Sequence, residues 1–502
     1  MKNFYTNSDG PIVETKAGKV RGFVWDDSYC FFGMEYAHAG RFEQPVEVEC
    51  WEGVKPALNY SYIAYPWQPD NPNGDLLVPH RFWPKSENCQ NLNVWTPSID
   101  KNAKKAVIVW LHGGGMSDGS AIEMVAYDGK SLSEYGDVVV VTVNHRLNVF
   151  GFLDVSAYGE KYHNSKNAGV ADLVMAMKWV HENIENFGGD PENVTVIGQS
   201  GGGKKVMSMM NTPAAAGYVQ KAVIMSGTSA RGYAETADIA KDIVEAAGGF
   251  DAVLALDSED FLKLAHKVTA EKGRIMWGPT QNDWFVGTLF DGETEVAKKI
   301  PLMVSSCIAE MTSFGYSLPG RQTMSREEKE AKVFEKFGEE KGKKLLEMFY
   351  KAYPDHDAID AIVLDDSMRQ STLDLLDLRA EDGAAPTYSY LFAYDFPVDD
   401  GKAAWHCADI PFTFRNAHLV ANANEPVVGE KIENELSNAW ISFAKTGSPE
   451  NEYLPDWKPY IKGNEVTMII DRKSEPRVNY DKELLAYHRE LQIEIARPNM
   501  LM

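Results

Sequence analysis

"VTVIGQSGGGKKV", residues 194–206, sets Ser200 among Gly198, Gly201, Gly202 and Gly203 directly after a strand-like run. Glycine loses more conformational freedom on folding than any other residue, so four of them around one hydroxyl need a geometric reason. A strand turning sharply into a helix supplies one. Gly198-Gln199-Ser200-Gly201-Gly202 fits G-x-S-x-G, where side chains two residues before and two after the serine would collide with neighbouring backbone. The hydroxyl then projects over the carboxyl edge of a sheet. Gly-rich strand-to-helix turns also bind phosphates. Here, however, Lys204 is followed by Lys205, so G-x-x-x-x-G-K-[ST] is not met.

Around this turn the chain alternates strand and helix. "KAVIVWLHGG" (105–114) reads as a buried strand entering a glycine loop, and "DVVVVTVN" (137–144) as a second strand. "NVTVIGQS" (193–200), "KAVIMSG" (221–227), "PLMVSSCIAE" (301–310), "TYSYLFAY" (387–394) and "EVTMIID" (465–471) follow. In residues 168–188, Val170, Leu173, Val174, Met177, Val180 and Ile184 recur at helical spacing. "KKVMSMMNT" continues as the helix after Ser200. Such alternation predicts an α/β fold, a large and mainly parallel sheet with helices on both faces. A small antiparallel sheet is expected in "GPIVETKAGKVRGFVWDD" (10–27). The charged run beginning "SREEKEAKVFEKF" marks a helical insertion around residues 325–380. No repeat and no Pro/Gly/Ser-rich linker is visible, so residues 1–502 read as one domain.

A second glycine cluster, Gly113, Gly114 and Gly115 in "WLHGGGMSDGS" (110–120), also follows a strand. Backbone N–H groups brought close by glycine can stabilise the oxyanion of a tetrahedral intermediate, and the amide of Gly201 is a further donor. A serine hydroxyl needs a base. Of the 11 histidines, His112 sits in the glycine loop and His181 in a helix. His406, in "AAWHCADIPFTF" (403–414), lies on a loop after a strand. The orienting acid should fall between serine and histidine in the chain. Glu310, ending a strand, fits that order, with Asp283, Asp291 and Asp395 as alternatives.

Composition bounds the rest. The chain has 502 residues, 44% hydrophobic and 25% charged, enough for an ample core, with a formal net charge of −23. That charge argues against nucleic acid or an anionic membrane as partner. No apolar run approaches bilayer length, and the first residues lack a signal-peptide core. Five scattered cysteines without a C-x-x-C pair point to reduced thiols, no metal site and a cytoplasmic protein.

Several stretches, in order, resemble the type-B carboxylesterases of the α/β-hydrolase fold, the family that includes cholinesterases and bacterial para-nitrobenzyl esterases. "FFGMEYAHAGRFEQP" (31–45), "SENCQNLNVWTP" (86–97), "NHRLNVFGFL" (144–153), "NFGGDPENVTVIGQSGGG" (186–203) and "WISFAKTGSP" (440–449) carry the resemblance over nearly the whole chain. It implies Ser200 as nucleophile, His406 as base and Glu310 as acid, with Gly114, Gly115 and Gly201 as the oxyanion hole. Ser226 would be a supporting serine near the acid. Ala309 and Met311 replace the Asp and Gly that usually flank the glutamate. Cys89 matches a cysteine that is disulfide-bonded in secreted relatives, but "IAYPWQPD" (63–70) offers no partner.

The expected function is therefore serine carboxylic-ester hydrolysis of a small-molecule ester through an acyl-enzyme, without metal or cofactor. The same triad would serve an amidase or lactonase. A non-catalytic interaction protein of the same fold would normally lack serine or histidine, and this chain keeps both. Trp277, Trp284, Phe285 and Trp405 are candidate walls of the substrate pocket. Lys205 could pair with a carboxylate or be solvated. Oligomeric state is not legible.

Overall fold

The computed structural model describes residues 4–68, 80–312, 318–398 and 400–496. Among these, one sheet of twelve strands dominates. In chain order the strands are β1 (Phe4–Tyr5), β2 (Phe23–Trp25), β3 (Ser28–Glu35), β4 (Asn91–Thr96), β5 (Lys105–Leu111) and β6 (Val139–Val143). Then come β7 (Gly189–Gln199), β8 (Lys221–Met225), β9 (Leu302–Cys307), β10 (Thr387–Phe392), β11 (Val466–Ile470) and β12 (Glu475–Val478). Their spatial order is β1-β2-β3-β4-β6-β5-β7-β8-β9-β10-β11-β12. From β6 to β11 every neighbour is parallel. β1 to β4 form an antiparallel flank, and β12 returns antiparallel on the other edge.

Every residue of β6, β8, β9, β10 and β11 is buried. Successive side chains of a strand point to opposite faces. Continuous burial therefore means both faces are covered, which is why these strands read as unbroken apolar runs. Helices Ala168–Asn183, Gly201–Asn211 and Val428–Thr446 lie among the connections that cover them. The charged run forms helices Arg326–Phe337, Glu339–Ala352, Asp360–Val363 and Met368–Asp382, between β9 and β10.

Two expectations are corrected. The N-terminal set is not purely antiparallel: Ile12–Glu14 pairs antiparallel with Lys19–Arg21, which pairs parallel with Val54–Pro56, while Phe23–Trp25 joins the main sheet. The strand in "PLMVSSCIAE" stops at Cys307, and Glu310 opens a 3-10 turn beyond it. The turn forms because the Glu310 carboxylate accepts the Cys307 N–H at 2.7 Å and bends the chain away from the sheet.

Parallel strands share one carboxyl edge, where such sheets build their sites. β5 ends before the glycine loop, β7 before Ser200, β8 before Ser226, β9 before Glu310, and β10 before the loop of His406. A buried ion pair steadies this edge. Arg146, just after β6, donates to Asp172 at 2.9 and 2.7 Å, and its backbone N–H to the same carboxylate at 3.0 Å. Asp172→Ala would leave the Arg146 guanidinium buried without a counter-charge. It should cost about 3–5 kcal/mol of stability, read as a lowered urea midpoint and Tm. An unchanged midpoint would show that the pair does not support the fold.

Candidate active site

Ser200 sits between β7 and the helix Gly201–Asn211 with φ 58° and ψ −122°, a conformation a residue with a Cβ rarely adopts. Its N–H is held by the Met225 carbonyl of β8 at 2.8 Å. The surrounding glycines answer to contact. A Cβ on Gly202 would lie 2.0 Å from the Leu111 carbonyl oxygen, and one on Gly201 would lie 2.1 Å from the Gly115 carbonyl oxygen and 2.4 Å from the Gly115 nitrogen. The serine turn and the glycine loop after β5 thus interpenetrate, so the Gly201 and Gly115 backbones are immediate neighbours. Gly114 (φ 81°) and Gly115 (φ 66°) turn that loop, with the Gly114 carbonyl accepting from Ser117 and Asp118.

His406 Nδ1 meets Glu310 Oε2 at 2.5 Å, and Glu310 is fully buried. The two loops are also stitched through backbone: His406 N–H donates to the Glu310 carbonyl at 3.1 Å and Ala309 N–H to the Ala404 carbonyl at 3.0 Å. Of the alternative acids, Asp395 pairs with Arg321, Asp291 accepts from Thr288 N–H, and Asp283 is exposed. Burial pulls the imidazole pKa down, but the charge and hydrogen bond of Glu310 outweigh it, leaving His406 above the ordinary histidine value. Asp409 and Asp365 add to that field. Burial pushes both of those carboxyls up to about 7, and the Glu310 charge acts in the same direction. Ser226 is buried at φ 44°, its Oγ 4.0 Å from Cys307 Sγ, one step from the N–H that Glu310 accepts.

Three residues gain places that sequence patterns did not give them. Gln199, between Gly198 and Ser200, brings Nε2 within 3.3 Å of His406 Nε2. Its Oε1 accepts from the Cys407 thiol at 3.2 Å, with Cys407 at a left-handed φ of 76°. Lys205 is not solvated, and among the described residues it is in no direct ion pair. It is buried and donates to the His112 carbonyl at 2.9 Å, directly before the glycine loop. Burial draws its ammonium down to about 7 against the pull of Glu123 and Asp118. It bridges the helix of Ser200 to the loop of Gly114 and Gly115.

A cavity of about 430 Å³ opens beside Gly114 and Gly115, and Trp277 and Trp67 form part of its wall, their rings 5.0 Å apart edge to face. Trp405 packs on Phe396 at 4.3 Å, while Trp284 and Phe285 occupy a turn whose N–H groups donate to Asn282. Those three are not in the wall of this cavity. Elsewhere, His356, Asp360 and Asp395 bring ligand atoms within 4.8 Å of one another. Arg321 pairs with both aspartates at 2.8 and 3.3 Å, so the cluster already holds its cation. All five cysteines are unpaired, and no helix among the described residues is long and apolar enough to cross a membrane.

Comparison with known proteins bears on the family and the fold. A model of the carboxylesterase family matches residues 9–488. The para-nitrobenzyl esterase of Bacillus subtilis is 32% identical, over 94% of this chain and 96% of its own. The phenmedipham hydrolase of Pseudarthrobacter oxydans is 28% identical, over 92% and 95%. Among solved structures, an esterase from anaerobic Clostridium hathewayi, described as able to hydrolyse aliphatic aromatic polyesters, superposes with a TM-score of 0.93. It is 42% identical and covers 98% of this chain and 100% of its own.

Interpenetration of the two glycine segments makes a sharp structural prediction. Gly202→Ala places a Cβ into the Leu111 carbonyl and should cost about 3 kcal/mol or more, read as a lowered Tm or loss of soluble protein. Gly232→Ala, where a Cβ meets nothing within 4 Å, should leave Tm unchanged. Equal behaviour of the two variants would contradict the close approach.

Proposed function

The chain belongs to the carboxylesterase family and is a carboxylic-ester hydrolase, and from that premise we propose that Ser200, His406 and Glu310 carry the reaction. The observation that carries this assignment is the 2.5 Å contact between His406 and a fully buried Glu310, with the imidazole also 3.3 Å from Gln199, the residue before the strained Ser200. Ser200 Oγ attacks the ester carbonyl while His406 accepts its proton. Glu310 holds the imidazole N–H on Nδ1, which leaves Nε2 as the acceptor, and balances the imidazolium as it forms. Charge appears on the carbonyl oxygen, where the amides of Gly114, Gly115 and Gly201 are the donors. The alcohol leaves with the proton from His406. Water then enters, His406 takes its proton, and the acyl-enzyme opens to acid and free Ser200. Lys205 acts through the His112 carbonyl, fixing the loop that carries two of those amides.

The substrates are small-molecule esters. A planar or aromatic group suits the Trp67–Trp277 wall, in line with the aromatic polyesters named for the Clostridium hathewayi esterase. The unpaired thiols and the acidic charge support a cytoplasmic protein with no nucleic-acid partner.

Ser200→Ala should lower kcat for 4-nitrophenyl acetate by on the order of 10⁴-fold or more with the Tm retained. A loss of only a few-fold would remove Ser200 from the mechanism. The pH profile tests the acid. His406 works as the neutral base, so kcat/KM falls as pH drops through its pKa, and that limb should lie above the ordinary 6.5. Glu310→Gln removes the charge that raises it. The acid limb should then move to lower pH while the plateau falls by on the order of 10²–10⁴. A limb that stays in place would mean another group holds the imidazole.

A further inference from the structure

In a chain of net charge −23, cations left without counter-charge stand out. Lys204, Arg231 and Arg274 stand outside any ion pair among the described residues, and the cavity beside Gly114 and Gly115 takes in the first and last of them. Lys204 and Arg274 line it. Lys204 lies one helical turn after Ser200, its N–H on the Ser200 carbonyl at 3.2 Å. Its ammonium sits 5.5 Å from the Tyr233 ring centroid. Among the described residues, no carboxylate forms an ion pair with any of the three. Burial first, and then the charges of Arg231 and Arg274, pull the Lys204 ammonium down, so Lys204 feels both of the other cations. Asp118 is the acid in the cavity wall: it feels the charge of Arg274, and one of its oxygens accepts the Gln68 N–H at 2.7 Å, so one carboxylate stands there against the lining cations Lys204 and Arg274.

Clustered like charges beside apolar walls cost free energy that an anion would recover. The anion must belong to something lodged next to the reacting carbonyl, because the same cavity is bordered by Gly114 and Gly115. Lys204 lies in the first turn of the helix that Ser200 caps, and Gly115, which borders the same cavity, packs against Gly201, so an anion on Lys204 sits at the end of the helix that carries Ser200. Trp67 and Trp277 supply apolar wall to the same cavity.

We propose that this cavity is an anion-binding acyl site, and that the preferred substrates are half-esters of dicarboxylic acids whose free carboxylate is held by Lys204 and Arg274 with Arg231 near. This deepens the esterase assignment and rests on it. Cutting a polyester of a dicarboxylic acid leaves fragments of this chemistry, so an enzyme that opens such chains would supply the substrate. The products are the dicarboxylate and the alcohol, with one water consumed and no redox partner needed.

The test compares monomethyl terephthalate with its neutral near-isostere methyl 4-acetylbenzoate. Each kcat/KM is divided by the hydroxide-catalysed rate of the same ester. The wild-type enzyme should favour the anion about tenfold or more, as expected for a charge-assisted contact. Lys204→Met and Arg274→Gln should each lower that preference about five- to tenfold. Raising ionic strength should erode it, because Arg274 is exposed. Lys343→Met, which removes an exposed cation on another helix, should leave it unchanged. Retained Tm values show that the variants fold, and Arg274→Gln and Arg231→Gln carry the test should Lys204→Met not fold. A wild-type preference at or below one, or one untouched by these substitutions, overturns the proposal. Failure of the wild-type enzyme to hydrolyse even the neutral ester, or 4-nitrophenyl acetate, would instead count against the esterase assignment.

Discussion

The site depends on one backbone constraint: Ser200 is held at φ 58°, ψ −122° where β7 gives way to a helix. Such a conformation costs on the order of 1–3 kcal/mol and persists only where its surroundings over-determine it. Here they do. The Ser200 N–H is fixed by β8, while Gly202 and Gly201 fit into the backbone of β5 and its loop. The same contacts that hold the serine bring the Gly115 amide beside the Gly201 amide. The proposed nucleophile and oxyanion donors are therefore one packed unit, and neither segment can relax without displacing the other.

Electrostatics is built around that unit with unusual amounts of buried charge. On one side Glu310, Asp365 and Asp409 surround His406 and favour its protonated form, the form the proposed mechanism gives it in the transition state. On the other, Lys205 lies beneath the glycine loop with Glu123, whose carboxyl burial pushes up to about 7. Burial, then the Lys205 charge, hold the adjacent His112 and His145 well below the ordinary imidazole value, which keeps them neutral. The imidazole among the acids and the imidazoles near the lysine thus meet opposite fields. A nearby carboxylate raises a histidine's pKa and a nearby cation lowers it.

Much of this was legible in sequence because it is local. The parallel strands announce themselves as apolar runs, and a serine between glycines after such a run has few structural meanings. Glu310 was legible as a strand-end acid, but the strand ends three residues earlier, because its own side chain captures the Cys307 N–H. The N-terminal pairing misled for a similar reason. Alternation identifies strands in residues 10–27, but Phe23–Trp25 finds its partner in Ser28–Glu35 and the main sheet, and alternation cannot choose partners. Gln199, Lys205 and the Lys204–Arg231–Arg274 cluster were not legible. Their roles come from loops and helices that meet only when the sheet assembles, across up to 207 positions in the Gln199–His406 contact.

The central claim is that this packing presents Ser200 as the atom that receives the acyl group. Acid-quenching the enzyme during turnover of 4-nitrophenyl acetate and mapping the acetyl group by peptide mass spectrometry tests it most directly. The account predicts a single acetyl adduct, on the peptide carrying Ser200, forming with the first turnover and lost as the ester is exhausted. Acetyl on the neighbouring Cys407, or turnover with no adduct on Ser200 at any time, would contradict it.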